Sequence, residues 1–200
     1  MSFKALTPGT LLCPVPAVMV SCESEKDVPN IITIAWAGTV CSQPPMVSIS
    51  VRKERFSHHI LLDSGEYVIN LVGEEQLRAA DYCGVKSGRD EDKFAACGLT
   101  PVSVPEMRYA PAIAECPLYL ACKTEQVIEL GSHDLFLARI VGMGVQESLL
   151  TADGKIDLQK ARLTAYSHGV YHSLGPALGF FGYSVAAADV LERRMKELNN

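Results

Sequence analysis

Arg52, Arg55 and Ser57 fall within six residues, where a β-rich run ends and a short helical pattern begins. Two guanidinium forks, a hydroxyl and the N–H groups that open a helix can converge there on a phosphate. The same residues also make an ordinary solvated basic turn followed by an N-cap serine, and the stretch alone does not separate the two. Lys93, between Asp92 and Phe94 on a second helical pattern, offers another positive charge, although a lone lysine there reads first as a surface residue. Trp36, the only tryptophan, ends a strand-like run and gives way to Ala37-Gly38-Thr39. Alone it reads more readily as core than as a platform for a ligand.

Other chemistries lack their signatures. His168-x-x-x-His172 has metal-like spacing, but Gly169 lies inside it and no acidic residue follows His168, so H-E-x-x-H is missing. His58-His59 sends adjacent side chains to different faces, and no metal site is expected. There is no G-x-S-x-G, no G-x-G-x-x-G after a strand and no G-x-x-x-x-G-K-[ST], so a bound nucleotide must be held without a glycine loop. Seven cysteines, at 13, 22, 41, 83, 97, 116 and 122, include no C-x-x-C pair and read as buried reduced thiols. Cys41, in the loop beside Trp36, is the exception to watch.

The elements that must position these residues are mostly strands. Val15–Ser21, Ile31–Trp36, Met46–Arg52 and Tyr67–Val72 are short β-rich runs separated by Pro, Gly, Ser or Asp. A short helix over Phe56–Leu62, with Ser57 as N-cap, bridges the third and fourth of them. Two helices follow, Glu74–Tyr82 and Ser87–Cys97, the second opened by the Ser87/Asp90 capping pattern and stopped by Gly98. Strands resume at Cys116–Leu130 and Leu135–Val145 around the turn residues Gly131-Ser132-His133-Asp134, which puts His133 at a hairpin tip. A charged amphipathic helix closes the chain at about 187–198.

Composition agrees with one domain over 1–200: the 48% hydrophobic content supports a sizeable core, and no linker divides the halves. Strands without βα alternation point to an antiparallel barrel with inserted helices. A net charge of −5 and the lack of a basic stripe argue against nucleic acid. Residues 28–51 and 163–188 are long and uncharged enough to raise the question of a membrane. Pro29, Pro44, Pro45, Gly175, Pro176 and Gly179 interrupt them, so buried strands and a cytoplasmic protein are expected.

Taken together, the chain resembles the flavin reductase-like family of FMN-binding split barrels, and within it the flavoredoxin-type members. The matching positions are Pro14-x-Pro16, Asn30-x-x-Thr33-x-Ala35-Trp36, Pro44-Pro45, Arg52 through Ser57 and Gly65-Glu66-x-Val68-x-Asn70. Further along come Ser87-Gly88-Arg89-Asp90-x-Asp92-Lys93-Phe94, Gly98-Leu99-Thr100, His133, and Tyr166 with Leu174-Gly175. The resemblance implies a six-stranded antiparallel split β-barrel that forms a homodimer, with FMN in a groove near the subunit interface. It implies that Asn30, Trp36, Ser57, Lys93, His133 and Tyr166 surround the flavin, with Arg52 and Arg55 toward its phosphate. Ala37, Gly38 and Thr39 would leave the strand ladder so that their amides face the ring, and Lys93 would stand near the pyrimidine edge.

Three functions follow. The first is an oxidoreductase passing electrons from NAD(P)H through FMN to a flavin, a small acceptor or a protein, with the chemistry on FMN and no catalytic side chain. The second is a flavoredoxin-like carrier reduced by a redox partner protein. The third is a split-barrel module that binds a small ligand without flavin.

Overall fold

A computed structural model describes residues 1–198. Twelve strands are present among them: β1 (Val15–Pro16), β2 (Val18–Cys22), β3 (Asn30–Ile34), β4 (Ala37–Ser42), β5 (Pro45–Arg52), β6 (Glu66–Leu71), β7 (Pro101–Val102), β8 (Ala112–Ile113), β9 (Leu118–Leu130), β10 (His133–Val145), β11 (Thr164–Ser167) and β12 (Val170–Ser173). Four α-helices, α1 (Ser57–Ser64), α2 (Leu77–Val85), α3 (Lys93–Cys97) and α4 (Ala188–Leu198), complete the framework.

Seven strands form one antiparallel sheet in the order β3-β2-β6-β9-β10-β5-β4. Its two edges are consecutive in the chain. Only Ala35 and Trp36 separate the end of β3 from the start of β4, a span of at most about 11 Å between the flanking Cα atoms. In a flat seven-stranded sheet those edges would stand about 29 Å apart. The sheet must therefore curl until its edges approach; the Ser50 N–H donates to the Trp36 carbonyl at 2.9 Å, which carries the β4–β5 pairing back to the bend. No ladder joins β3 to β4, so the curl is not hydrogen-bonded shut. The expected six strands become seven because the chain bends at Ala35–Trp36 and resumes as a separate strand.

The curl is filled by the period-2 alternation of its strands. Val18, Val20, Ile32, Ile34, Val47, Ile49, Val51, Tyr67, Ile69, Phe136 and Ala138 point inward, and Ile60 and Leu61 of α1 pack onto them. On the outer face, Met19, Ile31 and Val72 meet Ala80 and Cys83 of α2 and Phe94 of α3. This second contact holds α2 and α3 beside the start of β3. A separate three-stranded sheet, β1-β11-β12, brings the 164–173 hairpin alongside. No helix among the described residues is long and apolar enough to cross a membrane.

Three local expectations are corrected. Ala37, Gly38 and Thr39 do not leave the ladder: they pair with Ile49, Ser48 and Val47 as the first half of the β4–β5 hairpin, whose tip carries Pro44. The second helix begins at Lys93 rather than Ser87, because Asp92 takes the cap by accepting the Ala95 N–H at 3.1 Å. Ser57 is the first helical residue of α1, not its cap; Phe56 precedes it, with helical dihedrals.

Candidate functional site

The end of β3, the Arg52–Ser57 turn, the C-terminal end of α2 and the start of α3 meet on one side of the sheet. Two cavities open there. The larger, of about 420 Å³, is lined by Trp36, Arg52, Arg55, His133, Tyr166 and Tyr171, with Asp81, Gly84 and residues of β3 and β5 behind them. The smaller, of about 220 Å³, is lined by Arg55, Ser57, Ser87, Gly88, Arg89 and Lys93, with Glu54, Phe56 and Lys86. Ile32, Arg55 and Val85 line both, so the two cavities are neighbours across the Arg55 side chain.

The larger cavity has aromatic walls. The Trp36 indole stays 45% exposed, and its centroid lies 4.6 Å from the His133 ring at a 39° tilt. His133 is the first residue of β10 and lies opposite Arg52 of β5 in the ladder. Burial, then the nearby Arg52 charge, pulls its imidazole below the ordinary value of 6.5, which favours the neutral ring. Across the opening, Tyr166 and Tyr171 face each other on β11 and β12 with centroids 5.2 Å apart. The Tyr171 hydroxyl donates to Asp81 of α2 at 3.1 Å.

The smaller cavity is cationic and built from buried parts. Lys93 is 3% exposed, and its Nζ donates to the Ile31 carbonyl at 2.6 Å and the Cys83 carbonyl at 3.1 Å. An ammonium has three protons, so one remains for a ligand. Burial, reinforced by Arg55, holds the Lys93 ammonium below the ordinary lysine value of 10.5. The Arg55 guanidinium donates to the Gly84 carbonyl, which ties the turn before α1 to the end of α2. Ser57 is 1% exposed, and its Oγ accepts a 2.7 Å hydrogen bond from Asn30 Nδ2. At Gly88 a Cβ would collide with the Asn30 side chain and the Phe56 ring, so glycine lets the 86–89 loop close over the start of α1.

The expected site residues thus divide. Trp36, Arg52, His133 and Tyr166 line the larger cavity, Ser57 and Lys93 the smaller, and Arg55 both. Asn30 stands behind Ser57 and orients it. Ala37, Gly38 and Thr39 line neither cavity, as their place in the β4–β5 ladder requires. Sequence reasoning missed Tyr171 and Asp81. The signal for Tyr171 was the His168-Gly169 pair, whose φ angles of 46° and 102° make the tight turn between β11 and β12. Asp81 carried no signal, because only the packing of α2 brings it to the cavity.

An elongated ligand with a flat aromatic part and an anionic end would match both volumes at once. The rings can stack on the flat part, while Arg55, Arg89, Lys93 and Ser57 meet the anion.

Comparison with known proteins identifies the family. The model described as "Flavin reductase like domain" matches residues 10–175. The chain belongs to the flavin reductase like domain family. A solved flavoredoxin of Desulfovibrio vulgaris (Miyazaki F) is 33% identical, with a TM-score of 0.83 over 94% of this chain and 100% of its own. An FMN-binding protein from Thermus thermophilus, solved with bound 1-cyclohex-2-enone, shares the fold at 23% identity, with a TM-score of 0.75 over 90% of this chain and 99% of its own. Among curated sequences, the reductase component of a 4-nitrophenol 4-monooxygenase/4-nitrocatechol 2-monooxygenase from Rhodococcus opacus is 30% identical over 114 residues, 57% of this chain and 57% of its own. The flavin reductase-like region therefore takes in every site residue above, and residues 1–9 and the segment from 176 through α4 lie outside it.

Proposed function

We propose that the protein is an FMN-binding oxidoreductase of split-barrel architecture, one domain that carries electrons from NAD(P)H to a flavin, a small acceptor or a protein. The observation that carries this reading is the pair of adjoining cavities, aromatic on one side of Arg55 and cationic on the other. The residues fit FMN. Trp36, His133, Tyr166 and Tyr171 would flank the isoalloxazine, and Arg55, Ser57, Arg89 and Lys93 would hold the phosphate end. FMN, when bound, supplies the hydride and electron chemistry. The chain orients it, offers positive charge and leaves one side open, since Trp36 is half exposed and Arg52 lies at the mouth beside Glu54, 3.2 Å away. A second substrate would approach from that side. All seven cysteines are free thiols, in keeping with a cytoplasmic setting.

The 33% identity to a flavoredoxin favours a second reading, an electron carrier reduced by a partner protein. Two measurements decide. The purified protein should show flavin absorption, or take up FMN with quenching of Trp36 fluorescence; a colourless protein that FMN titration leaves unchanged would defeat both readings. Anaerobic bleaching by NADH or NADPH within seconds supports the oxidoreductase, and bleaching by a reduced protein donor alone supports the carrier.

A further inference from the structure

Away from the two cavities, α2 and α3 bring a pair of thiols into contact. Cys83 of α2 is buried and Cys97, the last residue of α3, is half-buried; their Sγ atoms are 3.9 Å apart. That is van der Waals contact between free thiols, against about 2.05 Å in a disulfide. Rotation of the two side chains and a small shift of the five-residue α3 would close the gap. Cys97 also lines a third cavity, of about 350 Å³, with Glu75, Arg78 and Tyr82. A small oxidant can reach Cys97 there, while Cys83 stays shielded behind it. Burial, then the neighbouring Cys97, pushes the Cys83 thiol up to about 12, so Cys83 stays a neutral thiol until its partner is oxidised.

The chain between the two cysteines matters as much as the thiols. Val85, Lys86, Ser87, Gly88, Arg89 and Lys93 of the smaller cavity all lie in the 84–96 segment, and Lys93 Nζ donates to the Cys83 carbonyl itself.

We propose that Cys83 and Cys97 form a reversible dithiol–disulfide couple, oxidised by a hydroperoxide, that staples the base of the 84–96 loop. The Cys97 sulfur attacks one peroxide oxygen, the O–O bond breaks, and with hydrogen peroxide one water leaves a sulfenic acid on Cys97. The Cys83 thiol gives up its proton as its sulfur attacks Cys97; the S–O bond breaks, the S–S bond forms and a second water leaves. Two thiols supply two electrons, and one peroxide becomes two waters. The couple stands whether or not the smaller cavity takes a phosphate.

The test treats the purified full-length protein with hydrogen peroxide, blocks the remaining thiols with iodoacetamide and maps the peptides by mass spectrometry. A Cys83–Cys97 linked peptide that dithiothreitol removes is expected, with a Tm raised by roughly 6–12 °C. Tryptic cleavage after the exposed Lys86 and Arg89 should slow by roughly tenfold, because cleavage there follows local opening of the loop. Cys97→Ser should abolish the linked peptide, the Tm rise and the slower cleavage, and Cys97→Ala replaces it if circular dichroism shows misfolding. The proposal is overturned if exposed Cys13 is oxidised while no Cys83–Cys97 link forms, if Cys83 links instead to Cys116 in the same apolar cluster, or if the link forms and cleavage is unchanged.

Discussion

Lys93 keeps a cation where burial opposes it, held by two carbonyls, and a phosphate would relieve that opposition. Lys93→Met should weaken FMN binding by roughly 10–100-fold, and Ser57→Ala by roughly 5–10-fold, in a flavin fluorescence titration. Unchanged affinity in both variants would remove the anionic end of the proposed site. A dianion prefers protonated Lys93, so affinity should fall as pH rises through a value below 10.5, and Lys93→Met should flatten that limb of the profile. Because Met also leaves the Ile31 and Cys83 carbonyls without their donor, the Tm of the flavin-free variant must be measured beside its affinity. At this scale the sequence was most informative where residues are neighbours. Arg52, Arg55 and Ser57 sit on one turn, as their spacing places them, but they do not converge on one cavity: Arg52 faces the larger, Ser57 the smaller and Arg55 both. The part of Asn30, which stands behind Ser57 and under Gly88, depends on contact between β3, α1 and the 86–89 loop, and no local pattern encodes it.

Two buried carboxylates tie elements together and give the element scale its predictions. Glu66, at the start of β6 and 5% exposed, accepts the backbone N–H groups of Arg108, Tyr109 and Ala110 at 2.9, 2.6 and 3.0 Å. Glu66→Ala would leave three donors unpaired and should cost roughly 3–5 kcal/mol in urea denaturation, with increased proteolysis at 106–111 as its local sign. Asp134 of β10 accepts from His58 Nε2 of α1 at 2.7 Å and lies 3.4 Å from Lys53, which joins the element bearing Ser57 to the one bearing His133. Burial alone would raise its pKa, but the bonds from His58 and Lys53 outweigh burial and leave it below 3.8. A folded-state value below the unfolded one stabilises above the unfolded pKa and is lost as pH falls through the folded value. Asp134→Asn should therefore lower the Tm at pH 7, and its difference from the parent should shrink below about pH 4 and vanish in stronger acid. An undiminished difference at pH 2.5 would show that geometry, not charge, is what Asp134 contributes. Long strands were legible: the Gly131-Ser132 turn between β9 and β10 falls where its residue types place it. The end of the strand near Trp36 was legible too, but its resumption as β4 was not, because that answers to the curl of the whole sheet, and β4 is an exposed edge strand with little apolar alternation. The short α3 was overextended because Ser87 and Asp90 fit a capping pattern, while the glycine between them serves packing against Asn30.

For the whole molecule, the family resemblance implies a homodimer, and the surface gives that expectation a place to act. Leu178, Phe181 and Val185 expose 87%, 104% and 87% of their surface, and Phe3 and Leu12 near the other end expose 104% and 87%. These side chains lie outside every sheet. The 174–187 segment folds against the helix that follows it, since the Arg194 guanidinium of α4 sits 4.0 Å over the Phe180 ring. Apolar side chains presented this way cost about 25 cal/mol per Å² in water, which covering by a second copy would recover. Light scattering at micromolar concentration should therefore give twice the 21.7 kDa of one chain. Replacing Leu178 and Phe181 together by Ser should raise the dimer dissociation constant by roughly 100-fold or more, since central apolar anchors dominate such interfaces. The double variant should keep the far-UV spectrum and Tm of the parent when both are compared as monomers, because neither side chain belongs to a core cluster. A monomeric parent would remove the interface and with it the placement of the flavin groove at a subunit boundary. A dimer that ignores the double substitution would move the interface to another face, and in either case the two cavities around Arg55 would still have to account for flavin binding within one subunit.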